Sequence, residues 1–221
     1  MAYRRLPNTD KARITALIKL SDMVLVDDCV VLLNHKETIL DLKEVFGGLI
    51  ECREIYVSKR VELNKRKREL LIKLKLYVSH FFQVFNFAID REDIAKECRL
   101  LFNLQVNTGV IPLLAKELDI IEWANNIIKG ESQRVKKGIE SISHPNHKKI
   151  KEIKEKTESV RGELEEIEML FKNNHIEITK QRQKVDAFIK QIWNEIELQF
   201  ANEPIEIKRE QAAEYGVVYI T

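Results

Sequence analysis

Two ladders of residues that recur every seven positions constrain this chain more than any other feature. The first is Leu42, Leu49, Tyr56, Leu63, Leu70, Tyr77 and Val84, with a companion series of Ile39, Phe46, Arg53, Arg60, Lys67, Leu74, Phe81 and Ala88. The second is Ile150, Thr157, Leu164, Phe171, Ile178, Val185 and Ile192, beside Ile153, Val160, Ile167, Asn174, Gln181, Phe188 and Glu195. Alternating steps of three and four return side chains to one stripe of an α-helix, as a coiled-coil seam requires. At 1.5 Å per residue, helices over 36–88 and 145–200 would each be about 80 Å long. Both seams turn polar in the middle, at Arg53, Arg60 and Lys67 in one and at Asn174 and Gln181 in the other. Buried polar seam residues can fix register or partner number. The simpler reading, which we take as the expectation, is that these segments face water where the bundle thins.

Shorter elements surround the ladders. A first helix is expected from Thr9 or Asp10, with Asn8 or Thr9 accepting from free amides and Asp10 suiting the positive dipole end. Its apolar face would carry Ile14, Leu17, Ile18 and Ser21. The β-branched Val24, Val26, Val30 and Val31 then weaken helix propensity. Asn34, followed three positions later by Glu37, has the spacing of a capping box at the start of the long second helix. Gly47-Gly48 is a place for that helix to bend. Ile94, Cys98 and Leu101 suggest a short helix after an Asp90 cap, and Asn103, Asn107, Gly109 and Pro112 a loop. A third helix over 115–136 would use Leu118, Ile121, Trp123 and Ile128, ending at a left-handed Gly138. Ser143-His144-Pro145 would open the fourth. Beyond Pro204, residues 206–214 read as a further turn or two of helix, and 216–221 as an apolar tail packed on the bundle.

The expected fold is therefore all-α: an elongated antiparallel helical bundle, with two long helices carrying coiled-coil-like heptads and two shorter helices. Residues 1–221 are expected to form a single domain. The unequal lengths imply that the long helices kink, or that they project as a two-helix segment from a four-helix base. Composition agrees, since 33% of residues are charged while Gly and Pro number only 7 and 4. Lys plus Arg (37) nearly cancels Asp plus Glu (35), which excludes a strongly basic or acidic polyelectrolyte. Three unspaced cysteines, Cys29, Cys52 and Cys98, suit reduced thiols and a cytoplasmic location. No signal sequence is read at the N-terminus, where Asp10, Lys11 and Arg13 interrupt any apolar run. The apolar stretch 23–33 carries Asp27 and Asp28, whereas a spanning helix needs about 20 apolar residues.

Several stretches carry a family likeness. They are Arg5-Leu6-Pro7-Asn8-Thr9-Asp10, the run from Leu76-Tyr77-Val78-Ser79-His80 to Asn86, and Ile121-Glu122-Trp123 with Ile127-Ile128-Lys129-Gly130-Glu131. Ile192-Trp193-Asn194-Glu195 and Glu214-Tyr215-Gly216-Val217-Val218-Tyr219 complete the set. With these the chain resembles an uncharacterised family of all-helical bacterial proteins. The resemblance spans nearly the whole chain and implies one architectural unit, with no reaction, ligand or site attached.

Motifs for chemistry are missing. No Glu has a His three residues later, so a di-iron bundle lacks its ligands. His144 and His147 have no evident acidic third ligand. No phosphate-binding glycine loop, nucleophile elbow or His-Glu-x-x-His is found. His80, set among Tyr77, Phe81, Phe82 and Phe85, reads as a core histidine, and His35 and His175 as surface residues. The adjacent carboxylates Asp27-Asp28 and Glu165-Glu166 diverge by about 100° on a helix and make no catalytic dyad. No enzyme activity, cofactor or metal site is expected.

The remaining signal is basic. Lys59, Arg60, Lys65, Arg66, Lys67 and Arg68 outweigh Glu62 and Glu69, leaving a local charge of +4. With Arg53 they are the candidate contacts for a partner or polyanion, and Arg53, Arg60 and Lys67 are expected opposite acidic or polar groups. The expected function is a non-enzymatic scaffold or protein–protein interaction module, acting on a protein partner or a second copy through helical faces. Two alternatives stay open. One is nucleic-acid or other polyanion binding through 59–68; the other is a membrane-active bundle using 24–33 or 81–87.

Overall fold

The computed structural model describes residues 3–26 and 29–220. The fold is all-α. In chain order it contains β1 (Tyr3–Arg4), α1 (Asp10–Val26), α2 (Val30–Asn34), α3 (Lys36–Asp90), a 3-10 helix (Lys96–Phe102), α4 (Glu117–Lys136), α5 (His147–Gln199), α6 (Ile205–Glu214) and β2 (Tyr219–Ile220). The two heptad ladders lie in α3 and α5, of 55 and 53 residues, and α3 passes through Gly47-Gly48 without interruption. The residues gather into two compact units. The first holds residues up to Ser58 and from Glu168 onward, the second Lys59–Ile167. Each unit takes one stretch of α3 and one of α5 and has its own core.

In the first unit, α1 starts where the sequence predicts, with Thr9 Oγ1 accepting from the Ala12 amide at 3.1 Å. Its inward face is Ala16, Leu17, Leu20, Ser21 and Val24, whereas Ile18 is exposed and Ile14 half-buried, a rotation from the expected stripe. The small Ala16 and Ser21 let α1 approach its neighbours, which apolarity alone does not forecast. The predicted capping box does not form, because Asn34 is the last residue of α2 and α3 starts at Lys36. His35 between them is no plain surface residue. It lies 2.8 Å from Glu195 and edge-on to Phe188. The pairs His35–Glu195 and Leu49–Asn174 run in opposite directions along the two sequences, so α3 and α5 are antiparallel here. Ile39, Phe46, Ile178, Val185, Ile189 and Ile192 fill the seam. The apolar tail is used as β2, paired antiparallel with β1, while the Tyr219 hydroxyl donates to Glu197 at 2.5 Å.

The polar centre of this unit overturns the expectation that polar seam residues face water. Asn174 is buried, and its Nδ2 donates to the Leu49 carbonyl at 3.0 Å. Asp10 is also buried. Arg182 donates to it from Nε and Nη2 at 2.7 Å each, Arg53 from Nη1 at 2.6 Å, and Arg13 from Nη1 at 3.4 Å. Arg13 turns its Nε and Nη2 to Asp186 at 2.7 and 2.8 Å. Hydrogen bonds from Arg182, joined by those from Arg53, outweigh burial and hold the Asp10 carboxyl at about 2, below its ordinary 3.8. Asp27 and Asp28 lie outside the described residues.

The second unit packs the aromatic run of α3 on the 3-10 helix, α4 and α5. Phe85 and Phe102 have ring centroids 4.7 Å apart, and Phe82 meets Trp123 edge-on at 5.6 Å. His80 is exposed, not a core residue, because the inward stripe of α3 is Leu74, Val78, Phe81, Phe82 and Phe85. In α4 the buried residues are Ile120, Ala124, Ile127 and Gly130, while Leu118 is exposed. The stripe is chosen by Gly130, since a Cβ there would fall 2.4 Å from Phe102 Cδ1 and 2.8 Å from the Leu101 carbonyl oxygen. One turn on, Glu131 and Arg134 form a buried ion pair at 2.5 Å. Glu131 also accepts from the Ile142 amide at 2.9 Å, and Arg134 donates to the Glu140 carbonyl at 3.0 Å. The pair thus pins the connection to α5. Gly138 takes the expected left-handed cap, with φ +77°. Pro145 precedes α5 and is not in its first turn, which Asn146 caps by accepting from the Lys148 amide at 2.8 Å.

Two tests follow from these cores. Asp10 contributes about 2 kcal/mol of stability that is complete above pH 4 and lost as the pH falls from about 4 towards 2. Asp10→Asn should remove that increment at pH 7 and flatten stability across the acid window, as read by urea denaturation at pH 7 and pH 3. Gly130→Ala should destabilise by about 1–3 kcal/mol through overpacking. Gly162→Ala, on exposed α5 backbone with nothing within 4 Å, should stabilise by up to about 1 kcal/mol. Thermal unfolding of the two variants reads the opposite signs.

Candidate interaction face

A helix turns about 100° per residue, so six neighbouring cations are distributed around α3, not gathered on one side. Arg60 and Lys67 share the inward stripe with Leu74, are half-buried, and Lys67 pairs with Glu117 of α4 at 3.2 Å. Arg53, in the first unit, is committed to Asp10. Arg53 and Lys67 therefore meet acidic partners inside the fold. Lys59 and Arg66 share a second stripe and are exposed. Lys65 and Arg68, also exposed, lie on the side of α3 away from the core.

That outward side carries a row the heptad reading missed. Val61, Lys65, Arg68, Ile72, Lys75 and Ser79 succeed one another by steps of four and three, with Leu76 beside Ile72. Val61, Ile72 and Leu76 are 67%, 62% and 65% exposed. No carboxylate occurs in the row; Glu62 and Glu69 flank it along one edge. Lys65, Arg68 and Lys75 make no ion pair with any described residue. The signal was present in the sequence as a second 3–4 repeat, but a helix bearing two such stripes does not reveal which is buried.

The row ends at a groove of about 750 Å³ between Lys75 and Ser79 of α3 and the strap 110–115. The strap has no regular secondary structure, and Val110 and Leu113 are 68% and 80% exposed. It is held from behind by Arg99, which is 3% exposed. Arg99 donates from Nε to the Gln105 carbonyl at 2.7 Å, from Nη2 to the Val110 carbonyl at 3.3 Å, and from Nη1 to Asn86 Oδ1. Asn86 in turn donates to the Gly109 carbonyl at 2.9 Å. Burial lowers the Arg99 pKa, with Asp90 opposing. The loop read from Asn103, Asn107 and Gly109 is thus a fixed support for an apolar strip.

His144 lines a cleft of about 400 Å³ with Arg134, and His147 Nδ1 is 3.9 Å from Glu131, but Arg134 already neutralises that carboxylate. Among the described residues no three His, Cys, Asp or Glu side chains come together as metal ligands. Glu165 is engaged by Arg161 one turn earlier at 3.2 Å. No described helix is long and apolar enough to cross a membrane. No protein-family model matches the chain, and no curated protein or solved structure is significantly similar to it.

The strap's dependence on Arg99 is measurable. Arg99→Met keeps the volume and leaves the Gln105 and Val110 carbonyls and Asn86 Oδ1 unpaired, at a cost of about 2–4 kcal/mol. Amide hydrogen exchange should accelerate over 104–115 well before it does in the α3 core.

Proposed function

We propose that the protein is a non-enzymatic interaction module, whose docking face is the outward row of α3 from Val61 to Ser79 together with the strap 110–115. The occupant is an acidic amphipathic helix of a partner protein. The observation that carries this reading is the row itself: exposed apolar residues alternate with unpaired cations at helix-packing intervals, with no carboxylate among them. Helix-in-groove recognition uses such 3–4 spacing for its anchors, and charge complementarity would orient the partner and speed its encounter. Polyanion binding is less well supported, because the six cations of 59–68 point to different sides and Lys67 is neutralised by Glu117. Membrane insertion is disfavoured too. An interfacial helix sinks its apolar face about 5–10 Å, whereas Phe81, Phe82 and Phe85 of the aromatic segment are already buried in the core.

The test uses the full chain and a labelled designed peptide, an 18-residue amphipathic helix of Leu and Glu, read by fluorescence anisotropy. Saturable binding is expected, with the Lys-for-Glu version of the peptide at least 10-fold weaker. Lys65→Glu with Arg68→Glu, and separately Ile72→Asp, should each weaken binding by 10-fold or more with unchanged circular dichroism. Equal binding of the basic peptide overturns the proposal. So does tighter binding of a 20-base-pair DNA duplex or anionic vesicles, or a dimer that buries this face in light scattering.

A further inference from the structure

The first unit contains a half-open cavity of about 670 Å³, independent of the α3 face, lined by the segment before α1, one side of α1, Trp193 of α5 and the chain around Gly216. Its space comes from small residues. Ala12 and Ala16 present methyl groups one turn apart on α1, and Gly216, at φ +90°, takes a backbone conformation that strains any side chain, whose Cβ would also press on Lys19 Cγ at 3.1 Å. Trp193 lines the cavity and is 1% exposed, so it gives the pocket a closely packed aromatic wall.

Arg5 and Lys19 line the cavity, no Asp or Glu does, and neither cation has an ion-pair partner among the described residues. The walls otherwise are mainly apolar, with Leu6, Pro7 and Val218. Pockets of about 300–1,000 Å³ with apolar walls and a few convergent polar groups are the usual form of a small-molecule site. Water alone would leave the apolar wall poorly served. An occupant with an apolar body and a negative charge serves both the wall and the two cations.

We infer that this cavity binds a small amphipathic carboxylate of the acyl-chain type, its apolar body against Ala12, Ala16 and Trp193 and its charge met by Arg5 and Lys19. The test uses the full chain carrying Trp123→Phe, so that Trp193 is its sole tryptophan. Dodecanoate below its micellar concentration is the probe, with dodecyltrimethylammonium as the control. A saturable change in Trp193 emission is expected with dodecanoate, and at least 10-fold weaker binding of the cation. Ala12→Phe, which fills the cavity, should abolish the response. Arg5→Glu with Lys19→Glu should weaken dodecanoate at least 10-fold without disturbing the fold. No saturable response, equal response to both amphiphiles, or unaltered binding in the charge-reversed variant overturns the inference.

Discussion

A carboxylate buried at the start of α1 sets the terms for the first unit. Asp10 is tolerable away from water only because α3 and α5 each deliver a guanidinium to it, from Arg53 and Arg182, while its own helix supplies Arg13 and α5 the counter-carboxylate Asp186. Such a network contributes less to net stability than its contacts suggest, since desolvation of the charges opposes their attraction. It contributes to specificity. Shifting α3 by one heptad against α5 would keep apolar residues facing apolar residues along much of the seam. It would also strand Asp10 without Arg53 and Asn174 without the Leu49 carbonyl. Apolar repeats are degenerate in register, and the polar interruptions remove the degeneracy.

The second unit solves a different problem by similar means. Its core is largely aromatic, while its connections are long. Glu131 and Arg134 fix the chain between α4 and α5 through the Ile142 amide and the Glu140 carbonyl. Arg99 and Asn86 do the same for the loop leading to the strap. In both places a buried charged side chain replaces secondary structure as the partner of backbone groups that would otherwise be unsatisfied.

How much of this the sequence made legible depends on the kind of interaction. The ladders of α3 and α5 were readable because period alone defines them, and Ile39, Phe46, Leu74, Phe81, Ile150, Ile178 and Ile192 are all buried. Gly138 was readable from local chemistry. The inward faces of α1 and α4 were not, because they are set by small residues at close approaches, Ala16 and Gly130, and hydrophobicity scales reward Ile18 and Leu118 instead. His80 failed for the reverse reason: its aromatic neighbours at 81, 82 and 85 lie on another side of the helix. The role of Arg53 was half legible, as a cation opposite an acid, but its partner Asp10 is 43 residues away. The β1–β2 pairing joins the two ends of the described chain, a separation no local pattern encodes.

The excess of charge in this chain acquires two distinct meanings. On α5 the exposed charges are largely self-sufficient: Lys151–Glu155, Lys154–Glu158 and Arg161–Glu165 pair one turn apart, an arrangement that supports the helix and leaves little net field. The outward row of α3 has the same exposure and the opposite arrangement, with Lys65, Arg68 and Lys75 spaced along one side and apolar residues between them. A helix face that served solvation alone would gain from carboxylates at those intervals and would have no use for Val61, Ile72 and Leu76. Exposed apolar residues in register with unpaired cations are stabilised by nothing inside the unit. Their arrangement is what the docking face proposed above requires.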